Sequence, residues 1–409
     1  MINIKSSKNS FLGIYQGIQM EIWILALVSL INRIGAMVIP FLSIYLSDNR
    51  GFSFKEIGWI MSAFGVGSLF GSWLGGKLTD RYGFYPVIIF SLLTSGIGLI
   101  FLKEMNSFIS IGLGFFFVSL LSDLIRPAIF VAVNRYSTEE NRTKSITLVR
   151  LAINLGFAVG PATGGLLIAY LGYSSLFWVD GLSCIIAMIV FAFSLTIPKT
   201  IQKEKAMEDV KSSIEKSPYK DKPYLIFILA LSLFGVIFIQ YFSAVPLFYK
   251  DVHNLDEATI GLLLSSNGFV IVLLEMPLMH WVEKQKKLSK MHIMMSAIWC
   301  VIISYLLLIF SFNLLLLFVG MMFLTIGEML MFPLSNTEAM NRSMGKNQGD
   351  YMALYAISFS FAHLVGHNLG MQSISQIGFN LTWLCMIIVL ILSVFLLRLY
   401  YYAIKDEQL

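Results

Sequence analysis

Apolar runs long enough to cross a bilayer recur along the whole chain and are parted by short polar stretches. Runs able to span ~30 Å of hydrocarbon number twelve and predict helices at roughly 21–47, 56–77, 84–102, 107–134, 144–170, 175–197, 223–249, 257–280, 290–311, 313–340, 350–377 and 380–403. The first run is too long for a signal-peptide core and lacks a small-residue cleavage site, so it is expected to stay in the mature protein. The longest polar stretch, 198–222, alternates Lys with Glu204, Glu208, Asp209, Glu215 and Asp221 and is closed by Pro218 and Pro223. It reads as a flexible tether, with an amphipathic segment on the membrane surface as the alternative.

The chain also reads twice. Ile57-Gly58 and Asp80-Arg81 recur as Ile260-Gly261 and Glu283-Lys284 at an offset of 203. Pro127, Asn134-Arg135, Gly160 and Gly164 recur as Pro333, Asn341-Arg342, Gly366 and Gly370 at offsets of 206 or 207. The expected organisation is an all-α membrane protein of two pseudo-symmetric six-helix halves, 1–197 and 223–409, joined by the linker 198–222. Paired halves of this kind point to a transporter whose pathway lies between them.

Composition narrows the class. Hydrophobic residues make up 57% of the chain and charged residues 13%, with a mean hydropathy of +0.77; soluble domains run to about 25% charged. A soluble catalytic domain is excluded, and no cluster of nucleophile, base and metal ligands gathers at one depth, so an enzyme is not expected. With the N-terminus placed in the cytoplasm, 22 Lys and Arg fall on the inner side, Lys5 and Lys8 among them, against four outside (Arg50, Lys55, Lys103 and Lys250). Both termini are therefore expected to be cytoplasmic, and the net charge of +5 reads as a topology signal rather than a nucleic-acid footprint. Cys184, Cys300 and Cys385 lie within spans, without metal-ligand spacing, and are expected to be buried packing residues.

At the loop after the second span the residues become recognisable. Gly76-Lys77-Leu78-Thr79-Asp80-Arg81-Tyr82-Gly83 resembles the G-x-L-a-D-R-x-G loop of the major facilitator superfamily. Gly156-Phe157-Ala158-Val159-Gly160-Pro161-Ala162-Thr163-Gly164-Gly165 resembles the fifth-span motif of that superfamily's drug/proton antiporters. The resemblance covers the whole chain and implies the major facilitator fold, rocking of the halves about a midplane site, and a monomer. It also implies that Gly76, Asp80, Arg81 and Gly83 form a conformational motif in which Asp80 meets the amides of a neighbouring helix N-terminus and locks one closed state. Phe84 and Tyr85 stand where basic residues are usual. Gly156, Gly160 and Gly164, at i, i+4 and i+8, leave one face of the fifth span bare for close packing, and Pro161 is expected to bend it. Gly67, Gly71 and Gly75 repeat the device in the second span.

Charges inside the bilayer cost at least ~2.5 kcal/mol at a helix centre unless paired or wet, so each needs a reason. Arg33 lies in the first span, Asp123 and Arg126 in the fourth, Glu275 in the eighth and Glu328 in the tenth. The resemblance implies that spans one, four, seven and ten line the cavity. Asp123 and Glu328 are near-equivalents in the repeat, whereas Arg33 and Arg126 align with Ile239 and Phe332. Buried cations in the first half and acids in the second favour an anionic or zwitterionic organic solute, with Arg forking a carboxylate or phosphate. The alternative gives the arginines a gating role, Arg126 consumed by Asp123 and Arg33 by a carbonyl or Glu328. Glu328 is the first candidate for carrying the proton and Glu275 the second. Gln240, Asn32, Asn267 and Asn368 are candidate polar cavity groups. His363 and His367, one turn apart, have no evident third ligand, so no metal is expected and helix–helix hydrogen bonding is the reading.

Two transport functions compete. The first is a proton-coupled antiporter exporting small drug-like organic solutes from the cell, driven by the proton gradient with no cofactor; its partners are the solute, protons and the lipid bilayer. Here the early arginine common in the exporters' fourth span is absent, since Gly112 to Leu121 carries no charge. The second is a proton symporter for peptides or organic anions, suggested by Arg33, Gly35, Tyr45-Leu46 and Gly327-Glu328. The E-x-x-E-R run of the oligopeptide transporters is here Ser29-Leu30-Ile31-Asn32-Arg33, with both acids replaced.

Overall fold

The computed structural model describes residues 18–138, 141–195, 217–285, 289–343 and 348–407. Lys5, Lys8, Lys286, Lys287, Lys346 and the linker as far as residue 216 lie outside them, as does the choice between tether and surface helix.

Eleven helical stretches among the described residues are long and apolar enough to cross a membrane. In the first half these are α1 (Met20–Gly35) with α2 (Val38–Ile44), then α3 (Phe54–Tyr82), α4 (Phe84–Leu102), α5 (Phe108–Asp123) with α6 (Ile125–Tyr136), α7 (Arg142–Leu171) and α8 (Ser174–Ser194). In the second half they are α9 (Lys222–Phe238) with α10 (Ala244–Asp251), then α11 (Glu257–Lys284), α12 (Lys290–Ile309), α13 (Leu314–Ser343) and α14 (Gln348–Glu407). Within α14, Gly378 is non-helical (φ 74, ψ 176) and falls in the gap between the eleventh and twelfth predicted spans. The expected twelve are compatible with this division. Large apolar side chains such as Leu113, Phe193 and Ile388 are exposed, as a lipid-facing surface requires.

Spans one, four and seven are broken, and one cause serves all three. Proline has no N–H, so it frees the carbonyl four residues earlier. Pro40, Pro127 and Pro246 free those of Ala36, Asp123 and Phe242, and the helices part at these points. Ala36 (ψ 62) and Ser243 (φ −138, ψ −66) leave helical geometry altogether. Pro161, Pro277 and Pro333 sit inside helices that continue past them.

The apolar core is divided unequally. One cluster belongs to the first half alone and gathers Ile22, Leu25, Phe84, Ile88, Ala128 and Phe191, towards the end of the molecule that carries the Asp80 loop. A larger one runs from Phe41, Leu46 and Phe177 of the first half into Phe248, Tyr305 and Trp383 of the second. The halves thus share a core at the face away from Asp80, and among the described residues no apolar cluster joins them at the Asp80 face.

Candidate functional site

Between the halves lies a cavity of about 580 Å³. Spans one, four, seven and ten line it, with further residues from α3, α7, α11 and α14. On α6 and α7 the lining continues through Phe130, Val133 and Ile146, towards the Asp80 face.

Arg33 lies in the last turn of α1, beside the break in span one. Its guanidinium stands over the ring of Phe157, 4.9 Å from the centroid, and it faces the cavity. Among the described residues it has no carboxylate within ion-pair distance, neither Glu328 nor another. Gly156 makes this position available: a Cβ there would collide with the Arg33 side chain. Gly160 and Gly164 continue the same bare face against Ile34 and Met37, so the glycine motif of the fifth span seats the arginine helix.

Arg126 gives one edge to Asp123, Nε to Oδ1 at 2.8 Å, and leaves 47% of its side chain exposed. Asp123 is buried and also accepts a hydrogen bond from the Ser68 hydroxyl. Opposite, Asn267 Nδ2 donates to Glu328 Oε2 at 2.8 Å and lies 3.0 Å from Thr325 Oγ1, which orients the carboxylate. The lining thus carries Arg33, Arg126 and Arg150 against Glu328. Arg126 and Arg150 are paired with Asp123 and Glu275, which leaves Arg33 as the lining arginine without an ion pair among the described residues.

Several expectations are corrected. Gln240 is fully buried and does not reach the cavity; its Nε2 donates to Val236 O (2.9 Å) and Gly366 O (2.7 Å), clamping α9 to α14. Glu275 also lies off the cavity wall, 3.7 Å from Arg150 across the halves. Asn32 and Asn267 line the cavity, whereas Asn368 does not. His363 and His367 do line it, but among the described residues neither makes the expected hydrogen bond. Of the cysteines Cys184 is buried, Cys300 half-buried and Cys385 exposed.

Two charges in spans belong with those predicted and were passed over. Asp180, on α8, is buried, and its Oδ2 accepts from the amide of Val38 at 3.5 Å, serving the free N-terminus of α2 that the break in span one creates. Arg150, on α7, lines the cavity. The cost of a charge in hydrocarbon is a signal that would have found both.

The Asp80 loop is exposed, and no hydrogen bond or ion pair to Asp80 is found among the described residues. Gly83, with φ 83, makes the expected tight turn between α3 and α4. The opposite face is closed. Glu257 Oε1 takes Lys250 Nζ at 2.6 Å and the hydroxyl of Tyr173 at 2.8 Å, and Lys250 reaches Asp48 at 4.0 Å; the contacts to Tyr173 and Asp48 cross the halves. Below this latch Gly165 abuts the Glu257 backbone, Gly261 abuts Pro161, and the amide of Ala162 donates to Ser265 Oγ at 2.7 Å.

Comparison with known proteins gives a match to the Major Facilitator Superfamily over residues 22–367. The MFS-type transporter YttB of Bacillus subtilis (strain 168) is 24% identical over 94% of this chain and 96% of its own length. The quinolone resistance protein NorA of Staphylococcus aureus (strain MRSA252) is 23% identical over 55% of this chain and 58% of its own. Among solved structures, the nucleoside transporter NupG superposes with a TM-score of 0.76 at 14% identity, covering 94% of this chain and 99% of that one. The POT family transporter PepTSo gives 0.75 at 15% identity, with 95% and 98% covered.

Proposed function

The chain belongs to the major facilitator superfamily, and on that premise we propose that this transporter exports small organic anions or zwitterions in exchange for protons, by alternating access. The observation that carries the substrate class is Arg33. It faces the cavity over Phe157 and makes no ion pair among the described residues, although Asp123 and Asp180 lie within electrostatic reach; a guanidinium held in a half-dry site gains most from an anionic fork. Arg126, with one edge committed to Asp123, adds a second donor.

Export rests on two supports. The glycine-proline stretch of α7 is used at a cross-half seam through Pro161, Ala162 and Gly165. Relatives include drug-efflux proteins such as NorA. Glu328 carries the proton in this scheme; it is the acid on the cavity wall, and Asn267 holds one of its oxygens. The Lys and Arg asymmetry supports a cytoplasmic Asp80 face in a cell-membrane protein; on that reading the conformation described is open inward, with Asp80 and Arg81 not yet engaged. The protein acts as a monomer and needs no cofactor beyond the proton gradient.

Proteoliposomes with an imposed pH gradient, a lumenal pH dye and a panel of anionic, zwitterionic and neutral solutes test this. Solute moving against the proton flux is expected, with anions preferred, and Glu328→Gln is expected to abolish the gradient's effect while exchange of solute for solute persists. Solute and protons moving together would instead establish a symporter, and gradient-driven transport surviving in Glu328→Gln would remove that residue from proton coupling.

A further inference from the structure

Two imidazoles on the second half remain without a use. His363 and His367 lie one turn apart on α14, ring centroids 5.8 Å from each other, and both line the cavity. His367 is only 2% exposed. The Nδ1 atom of each ring is buried without a hydrogen-bond partner. Those nitrogens are closed to the cavity, so the part of each ring that a solute can reach is the opposite edge, for which no hydrogen bond is found among the described residues.

The surroundings say what that edge receives. His363 lies within the electrostatic reach of Arg126 and Asp123. Its backbone is fixed at the seam between the halves, where a Cβ on Gly65 of α3 would come 2.9 Å from the His363 carbonyl oxygen. A metal cation is disfavoured by the arginines on the same wall, and no group of three metal-ligating side chains occurs among the described residues. Since Nδ1 has no acceptor, the ring proton is best placed on Nε2, at the opposite edge of each ring, where a neutral imidazole is a donor to an oxyanion.

We propose that His363 and His367 complete the solute's anion site from the second half, so that one oxyanion is gripped by Arg33 and Arg126 on one side and by imidazole N–H groups on the other. This rests on the anionic reading of the cavity above. It adds that the head group bridges the two halves, and so ties binding to their relative position.

The test is a double-mutant cycle on the purified full-length protein, reading the Kd of phenylphosphonate and of benzyl alcohol as its uncharged match. His363→Ala is expected to weaken phenylphosphonate about 10-fold and leave benzyl alcohol unchanged, with His363→Gln, which keeps an N–H donor, restoring most of the loss. Combined with Arg33→Ala, the losses are expected to be less than additive, because both residues grip one group. His363→Gln, which keeps most of the side-chain volume, separates this loss from any change in stability caused by truncating the ring. Additive losses, or histidine variants that bind normally while Arg33→Ala loses its preference for the anion, would overturn the histidine role and leave the anionic reading standing. A wild type or an Arg33→Ala variant showing no change in preference between the two probes would overturn both.

Discussion

At the scale of single residues, the strongest statement concerns Arg33. A guanidinium offers two parallel donors to a carboxylate or phosphonate, whereas a lysine offers a point charge. Arg33→Lys keeps the charge and removes the fork, so the loss expected is one charge-assisted hydrogen bond, about 1.5–3 kcal/mol, or roughly 10- to 150-fold in Kd for an anionic solute. Because Arg33 has no ion-pair partner among the described residues, the unfolding temperature should hardly move; a large drop in stability with unchanged affinity would make it a structural residue. Arg33, Asp123, Arg126 and Glu328 were legible in the sequence, since charges within apolar runs stand out. Asp180 and Arg150 carried the same signal. Gln240 was not legible: an uncharged amide in a helix gives no sign of which face it occupies, and only the packing of α9 on α14 turns it away from the cavity. The histidines were visible as a pair, but their lack of partners belongs to tertiary structure.

At the scale of helices, two sets of glycines separate packing from conformational change. Gly67 and Gly71 of α3 press on α5, where a Cβ would meet backbone oxygens of Phe116 and Leu120, while at Gly76 nothing lies within 4 Å. Gly67→Ala is therefore expected to destabilise the protein by about 1–3 kcal/mol through overpacking. Gly76→Ala should raise stability by up to ~1 kcal/mol through helix propensity. If the Asp80 loop docks when the inner side closes, Gly76→Ala gains stability and loses transport rate; thermal melts beside initial transport rates read both quantities. A Gly76→Ala variant that is stable and fully active would take this part of the loop out of the transport cycle. Helix existence was easy to read here, because twenty apolar residues in a row admit few other structures. The breaks were harder. Eight prolines lie within the predicted spans, Pro86 and Pro223 of them in the first turn of a helix, yet only Pro40, Pro127 and Pro246 coincide with interrupted helices, a distinction set by what each freed carbonyl meets in three dimensions.

At the scale of the whole molecule, the two halves are joined at one face and parted at the other, and the join is polar at its outer rim. Glu257 is its centre, one carboxylate oxygen receiving both Lys250 and Tyr173. A conformational equilibrium moves only by the difference in stabilisation between its states. Glu257→Gln weakens contacts made when this face is shut, and those contacts have no counterpart once the halves separate there. Losing about 1–3 kcal/mol of charge-assisted bonding should raise the population open at this face by roughly 5- to 150-fold. Ile39, on the cavity wall at the latched side, supplies the reporter. With Cys184, Cys300 and Cys385 replaced by serine and Ile39→Cys introduced, a membrane-impermeant maleimide added from the latched side should label faster in Glu257→Gln, and solute should protect the thiol. Labelling at the wild-type rate would mean that the apolar seam of Gly165, Gly261 and Pro161 holds this face shut without the ion pairs. The repeat bears on the site as well. Arg33 and Ile239 hold matching places in the two halves, as do Arg126 and Phe332, and all four line one cavity. The matching places thus carry cations in one half and aromatic or apolar side chains in the other, so the site is asymmetric although the halves repeat. A solute that bridges the two then acts on the hinge through its own charge.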